Sequence, residues 1–149
     1  MKAHSIFRYA LLSAMALGYA RAAEPPGWIS NGTPASGYSV EYVKASPQPG
    51  TKLLAGTKLQ IHVTVNYKLT VAKAGKLLLV VQDDTNKSLS AIDAGALRAV
   101  NSPAGSAELT TSIDVPANAK EVRVFVPLMP DGLSDSKGEL RLRYPIAAH

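Results

Sequence analysis

The sequence predicts an all-β protein, an antiparallel two-sheet sandwich of about seven strands. Three observations carry this. Residues 59–71 alternate without a break: Leu59, Ile61, Val63, Val65, Tyr67, Leu69 and Val71 are apolar, and Gln60, His62, Thr64, Asn66, Lys68 and Thr70 between them are polar. A period of two puts one side chain toward a core and the next toward water, the mark of a half-buried strand. Shorter stretches repeat the pattern downstream, each bounded by Gly, Pro, Asn or Asp, and no segment shows a helical period. A run of strands without helices packs as two sheets over one core.

The elements follow in order. Residues 38–45 form the first strand, with Val40 and Tyr42 on one face, and Ser46-Pro47-Gln48-Pro49-Gly50 interrupts it because proline removes ladder donors. Residues 59–69 are the second strand; thirteen residues would be long for one strand, so the chain bends into a loop over 68–75. Residues 76–83 (KLLLVVQD) break the alternation with five consecutive apolar residues, as expected of a strand with apolar surroundings on both faces. A turn follows at 84–87, and in 88–105 Leu89, Ile92, Leu97 and Val100 allow two short strands or one helical turn, of which short edge strands crossing between sheets are the favoured reading. Alternation returns over 107–115, with Ala107, Leu109, Thr111, Ile113 and Val115 inward. It returns again over 121–128, with Val122, Val124, Val126 and Leu128 inward, and over 140–146, with Leu140, Leu142, Tyr144 and Ile146 inward. A polar hairpin-type loop separates the last two.

The first 22 residues read as a signal peptide. Lys2, His4 and Arg8 form a basic segment, residues 9–19 an apolar one too short to span a bilayer, and Ala20-Arg21-Ala22 a small-x-small cleavage site. The expected organisation is therefore 1–22 signal peptide, 23–37 an extended Pro/Gly-rich arm, and 38–149 one domain. The chain has no cysteine, which excludes a disulfide framework, thiolate catalysis and cysteine-ligated zinc. Its formal charge of +5 is partly the leader's: Lys2, Arg8 and Arg21 are three of the 16 basic residues, leaving 13 against 11 acidic. That balance does not suggest a nucleic-acid partner, and no later run is long enough to span a membrane.

The strand order resembles the immunoglobulin-like domains of bacterial exported proteins. The stretch Ser46-Pro-Gln-Pro-Gly50 followed by Leu59-Gln-Ile-His-Val-Thr-Val65 is similar to the first two strands of such modules, and the resemblance covers residues 38–146. It implies an immunoglobulin-like sandwich. The paired cysteines and core tryptophan of antibody-type domains are missing.

Few constellations carry chemistry. His62 sits at an outward strand position without a second histidine or cysteine nearby, so no metal set forms around it. Nothing of the Gly-x-Ser-x-Gly kind accompanies it. Asp131, Asp135 and Glu139 space oxygens through a glycine-containing loop suited to calcium, but Lys137 lies inside it and an ordinary polar loop is the better reading. Trp28, Tyr38 and Tyr42 are the aromatics a carbohydrate platform would need. The expectation is no catalytic residue, no metal and no cofactor.

The outer faces are more informative. On the strand of residues 59–69 the outward row is polar throughout and matched by Glu108, Thr110, Ser112 and Asp114 opposite. On the other sheet, Leu78 and Val80 point outward and join Phe125, with Arg123, Arg141 and Arg143 around them. An apolar strip rimmed by arginine is the composition of a contact surface, unless the arm or residues 88–105 cover it. The sequence thus points to a non-catalytic exported module, periplasmic or secreted, that binds a protein or cell-envelope component, or itself, through these six residues. A carbohydrate-binding module is the alternative, with a metal-binding protein or an enzyme behind it.

Overall fold

The computed structural model describes residues 27–32 and 35–147. The leader, residues 23–26 of the arm and His149 lie outside them. The described residues form ten strands and no helix: β1 (Ile29–Asn31), β2 (Tyr38–Ser46), β3 (Leu53–Leu54), β4 (Lys58–Leu69), β5 (Gly75–Leu78), β6 (Val80–Asp83), β7 (Leu97–Val100), β8 (Ala104–Asp114), β9 (Glu121–Pro130) and β10 (Glu139–Ala147). They make two sheets. The smaller runs β2-β4-β8, and the larger runs β1-β10-β9-β5-β7, with β6 on β9 and β3 on β10. All pairings are antiparallel except the two-residue β3–β10 contact. This is the expected all-β sandwich.

Alternation places the core as expected. Ile61, Val63, Val65 and Leu69 of β4, Leu109 and Ile113 of β8, Val122, Val124, Val126 and Leu128 of β9, and Leu140, Leu142 and Tyr144 of β10 are all buried. They meet in one cluster between the sheets. Each aliphatic side chain so buried contributes about 1.5–3 kcal/mol relative to an exposed one. β4 pairs with β8 from Lys58↔Asp114 to Lys68↔Ala104 without a slip.

The strand read as residues 59–69 ends at Leu69 as expected, and three further details differ from the reading of the sequence. The alternation of residues 59–71 runs two residues past its strand: Val71 is exposed, because β4 ends at Leu69 and the chain turns where the Thr70 amide donates to the Gly37 carbonyl at 2.9 Å. Gly37 has φ +81°, and a Cβ there would strike Val71. Residues 76–83 form two strands. β5 and β6 keep one register against β9, from Gly75↔Pro130 to Asp83↔Val122. Their other edge changes partner at Leu79, whose amide donates to the Ala96 carbonyl at 2.8 Å. Within 88–105 there is one strand, β7, on the edge of β5, and a single bridge from Ser88 to Gln82. The arm is not wholly a separate extension, since Ile29–Asn31 pairs with β10.

The edges are closed piece by piece. The free side of β10 is met by β1 at Leu140 to Leu142, by Trp28 and Gly50 at Arg143, and by β3 at Ile146 and Ala147. β8 is covered where the Thr110 amide donates to the Gly95 carbonyl, and β2 carries a register shift between Tyr42 and Lys44. Short edges, bulges and charge are ordinary defences against edge-to-edge pairing.

Candidate functional site

The structure brings Leu78, Val80, Arg123, Phe125, Arg141 and Arg143 onto one surface, the outer face of the larger sheet. The registers arrange it in rows across the strands. One row runs Gln82, Arg123, Arg143, with Trp28 next to Arg143 beyond the end of β1. The next runs Val80, Phe125, Arg141, Ser30. Leu78 lies on β5 one step further along the same face. Leu78, Val80 and Phe125 are half-buried, and their inward neighbours Leu77, Leu79, Val81, Val124 and Val126 are in the core.

The arginines are held from below. Glu121 accepts from Arg123 Nε at 2.6 Å and from Arg143 Nε and Nη2 at 3.1 and 2.7 Å. Glu139 accepts from Arg141 Nε at 2.7 Å. Arg141 lies over the Phe125 ring at 6.0 Å and Arg143 over the Trp28 ring at 5.7 Å, within cation–π range. Burial pushes the Glu121 carboxyl up, but the hydrogen bonds and charges of Arg143 and Arg123 outweigh it, and the net shift is below the usual carboxylate value. Between β9 and β10 lies a depression of about 300 Å³ lined by Ser30, Glu121, Arg123, Phe125, Arg141 and Arg143.

Trp28, the large apolar residue of the arm, does not cross the strip. It packs beside Arg143 and over Gly50, where a Cβ would stand 2.8 Å from the indole. Tyr38 and Tyr42 belong to β2 and pack against the core on the other sheet, so the three aromatics form no common platform. Glu121 was not singled out from the sequence, and Glu139 was weighed there only as a calcium ligand. The signal was there: Glu121 with Arg123, and Glu139 with Arg141 and Arg143, are spaced by two and share the outward parity.

The other candidates lie apart. His62 is on the outer face of the smaller sheet, between Ser46 and Thr110, beside a depression of about 310 Å³ lined also by Lys44, Thr64 and Glu108. Among the described residues no group of three or more His, Asp or Glu side chains is placed to hold a metal ion. Glu139, the last oxygen of the 131–139 loop, is turned to Arg141. Asp83 is the last residue of β6, where the turn of residues 84–87 begins. Its carboxylate accepts from the Thr85 hydroxyl and amide and the Lys87 amide at 2.6, 2.8 and 3.0 Å, bonds that hold it below the usual carboxylate value. No helix among the described residues is long and apolar enough to cross a membrane.

No protein-family model matches the sequence, and no curated protein matches it. Solved structures do share the fold. A glycosyl hydrolase family 2 member from Bacteroides cellulosilyticus superposes with a TM-score of 0.51 at 12% identity, over 72% of this chain and 15% of that one. A Niemann-Pick type C2 protein from the Japanese carpenter ant matches at 0.46 and 9%, over 76% and 95% of the two chains. A β-glucosidase from Listeria innocua matches at 0.43 and 16%, over 75% and 16%. The chain thus spans about a seventh of the hydrolase, and at this identity the likeness is one of fold: a β-sandwich domain.

Proposed function

We propose that the protein is a non-catalytic, exported immunoglobulin-like module that binds a protein or cell-envelope partner through the outer face of its larger sheet. The observation that carries the reading is the continuity of that face. Leu78, Val80 and Phe125 lie side by side across β5, β6 and β9, and Arg123, Arg141 and Arg143 flank them. Core-like apolar residues with arginine at the margin are what interfaces concentrate. The described part of the arm extends the sheet at its edge, leaving the strip half-open. Export rests on the basic, apolar and small-residue segments of the first 22 residues.

The test compares three forms of the purified protein on an envelope extract: the natural chain, the Phe125→Asp, Arg141→Glu double variant, and His62→Ala as a control on the other sheet. An envelope protein retained by the first and third and lost by the second, with all three melting alike, supports the surface. Retention unchanged by the double variant, with self-association also unchanged in sedimentation, refutes it.

A further inference from the structure

We infer that the depression between β9 and β10 is a carboxylate-binding site, filled by an acidic side chain that the partner presents. The inference rests on the proposed contact surface and names the chemistry at its centre. Arg141 and Arg143 are two apart on β10 and so point the same way, and Arg123 stands directly opposite Arg143 in the β9–β10 register. Like charges directly opposite one another across an antiparallel pair destabilise a sheet. Folding alone therefore gains nothing from this placement.

The two glutamates offset the repulsion only in part, and from underneath. The side chains of Glu121 and Glu139 are 12% and 23% exposed, against 35%, 47% and 51% for Arg123, Arg143 and Arg141. The carboxylates engage the Nε edges, with one Nη of Arg143 added. Both Nη groups of Arg123 and Arg141 and Nη1 of Arg143 have no protein acceptor among the described residues. The outermost layer is guanidinium. Three positive groups against two negative ones leave the cluster one anion short of neutral.

The forks are also set in advance. Phe125 backs Arg141 and Trp28 backs Arg143. A planar guanidinium held in this way gives up little side-chain entropy when it takes a carboxylate. The volume of about 300 Å³ is at the small end of ligand sites and suits one side chain or a similar compact group. Val80 and Leu78, on the same face beyond Phe125, give apolar neighbours of that acidic residue a place to rest, which favours a protein segment over a free anion.

The experiment follows the arginine Nε–Hε signals of the ¹⁵N-labelled protein during titration with a blocked pentapeptide of alternating leucine and glutamate. The same peptide with glutamine, trigalacturonate and inorganic phosphate are the comparison probes. The expected result is saturable movement of the Arg123, Arg141 and Arg143 signals with the glutamate peptide and none with the glutamine one. Arg141→Gln weakens binding about fivefold, the size of one exposed charge-assisted contact. Glu121→Gln, which keeps every guanidinium and removes a negative charge, tightens it severalfold. Changes of opposite sign do not arise from loosened structure. The inference is overturned by no saturable shift, by equal response to glutamine, by weakening in Glu121→Gln, or by trigalacturonate or phosphate binding where the peptide does not. Failure here with the envelope protein still lost by the Phe125→Asp, Arg141→Glu variant would remove the carboxylate site and leave the surface standing. Peptide binding with no such loss would remove the surface reading and leave the site.

Discussion

Replacing Tyr144 by phenylalanine removes one oxygen from the middle of the sandwich. Tyr144 is on β10, is fully buried, and its hydroxyl donates to the Pro47 carbonyl at 2.8 Å. Pro47 directly follows β2, so this bond links the larger sheet to the connection leaving the smaller one. The ring stays in the core in Tyr144→Phe, so no cavity term enters. What is lost is one neutral hydrogen bond, about 0.5–1.5 kcal/mol net, more if the Pro47 carbonyl finds no water. For a domain of this size about 1 kcal/mol lowers Tm by roughly 3–5 °C. The alkaline side adds a second signature. Burial, followed by the nearby Tyr42, pushes the Tyr144 phenol far above its usual value. Its folded pKa lies above the unfolded one, so its contribution is intact below pH about 10 and is lost as pH rises beyond that. The natural protein should therefore lose stability steeply above pH about 10, and Tyr144→Phe should lose it less steeply, so the two curves converge. Thermal and urea unfolding by circular dichroism at pH 7 and across the alkaline range measure both. A loss above about 2.5 kcal/mol at pH 7 would show that the Pro47 carbonyl is left buried without a partner. No loss and parallel alkaline curves would show that the bond is not made.

Three further changes test the packing and the electrostatics. Gly75→Ala puts a Cβ 2.8 Å from the Met129 carbonyl oxygen and 3.2 Å from Pro130 Cα, both backbone atoms of β9. Since backbone cannot swing aside, the urea midpoint should fall by the equivalent of about 1–3 kcal/mol, and an unchanged midpoint would mean the strands part freely there. Thr110→Val removes a buried hydroxyl that has no protein partner among the described residues and keeps the β-branch. It should be neutral or stabilising by up to about 1 kcal/mol, and clear destabilisation would reveal a bond to water. Glu121→Gln should cost about 1 kcal/mol at pH 7 and low salt, from two partly exposed ion pairs. Because the folded pKa of Glu121 lies below the unfolded one, that contribution is present above pH about 4.5 and is lost as pH falls below it. The natural and variant melting curves should meet in acid and in high salt.

The parts of the fold legible in the sequence are those where one strand face is buried over several residues. β4, β8, β9 and β10 alternate because each has the core on one side and water on the other, and their inward residues were all identifiable. β1 and β3 were invisible for the opposite reason. Strands of three and two residues carry no period, and both exist because β10 has an edge to be met. β7 offers Leu97, Arg98 and Ala99, all exposed, before Val100 enters the core. The break at Leu79 could not be seen because β5 and β6 keep one register on β9, and only the neighbour on the far side changes. The six residues of the candidate surface were legible by parity alone. Trp28 was not, since its place beside Arg143 depends on the register of a strand the sequence does not announce.

The two outer faces of the sandwich argue for where contact falls. On the smaller sheet Lys58 stands opposite Asp114, Gln60 opposite Ser112, His62 opposite Thr110, and Thr64 opposite Glu108. Opposite charges and hydroxyl-bearing pairs are combinations that favour a sheet from within. On the larger sheet Arg143 meets Arg123, Arg141 meets Phe125, and Phe125 meets Val80. The first pair repels, and the apolar members of the others stay half-open to water, which costs the fold the burial they would gain under a partner. Each sheet has the same core requirement, met by the same alternation. The difference between their outer faces therefore lies in residues that the core does not constrain, and the larger sheet is the one that sets arginine opposite arginine beside half-open apolar side chains.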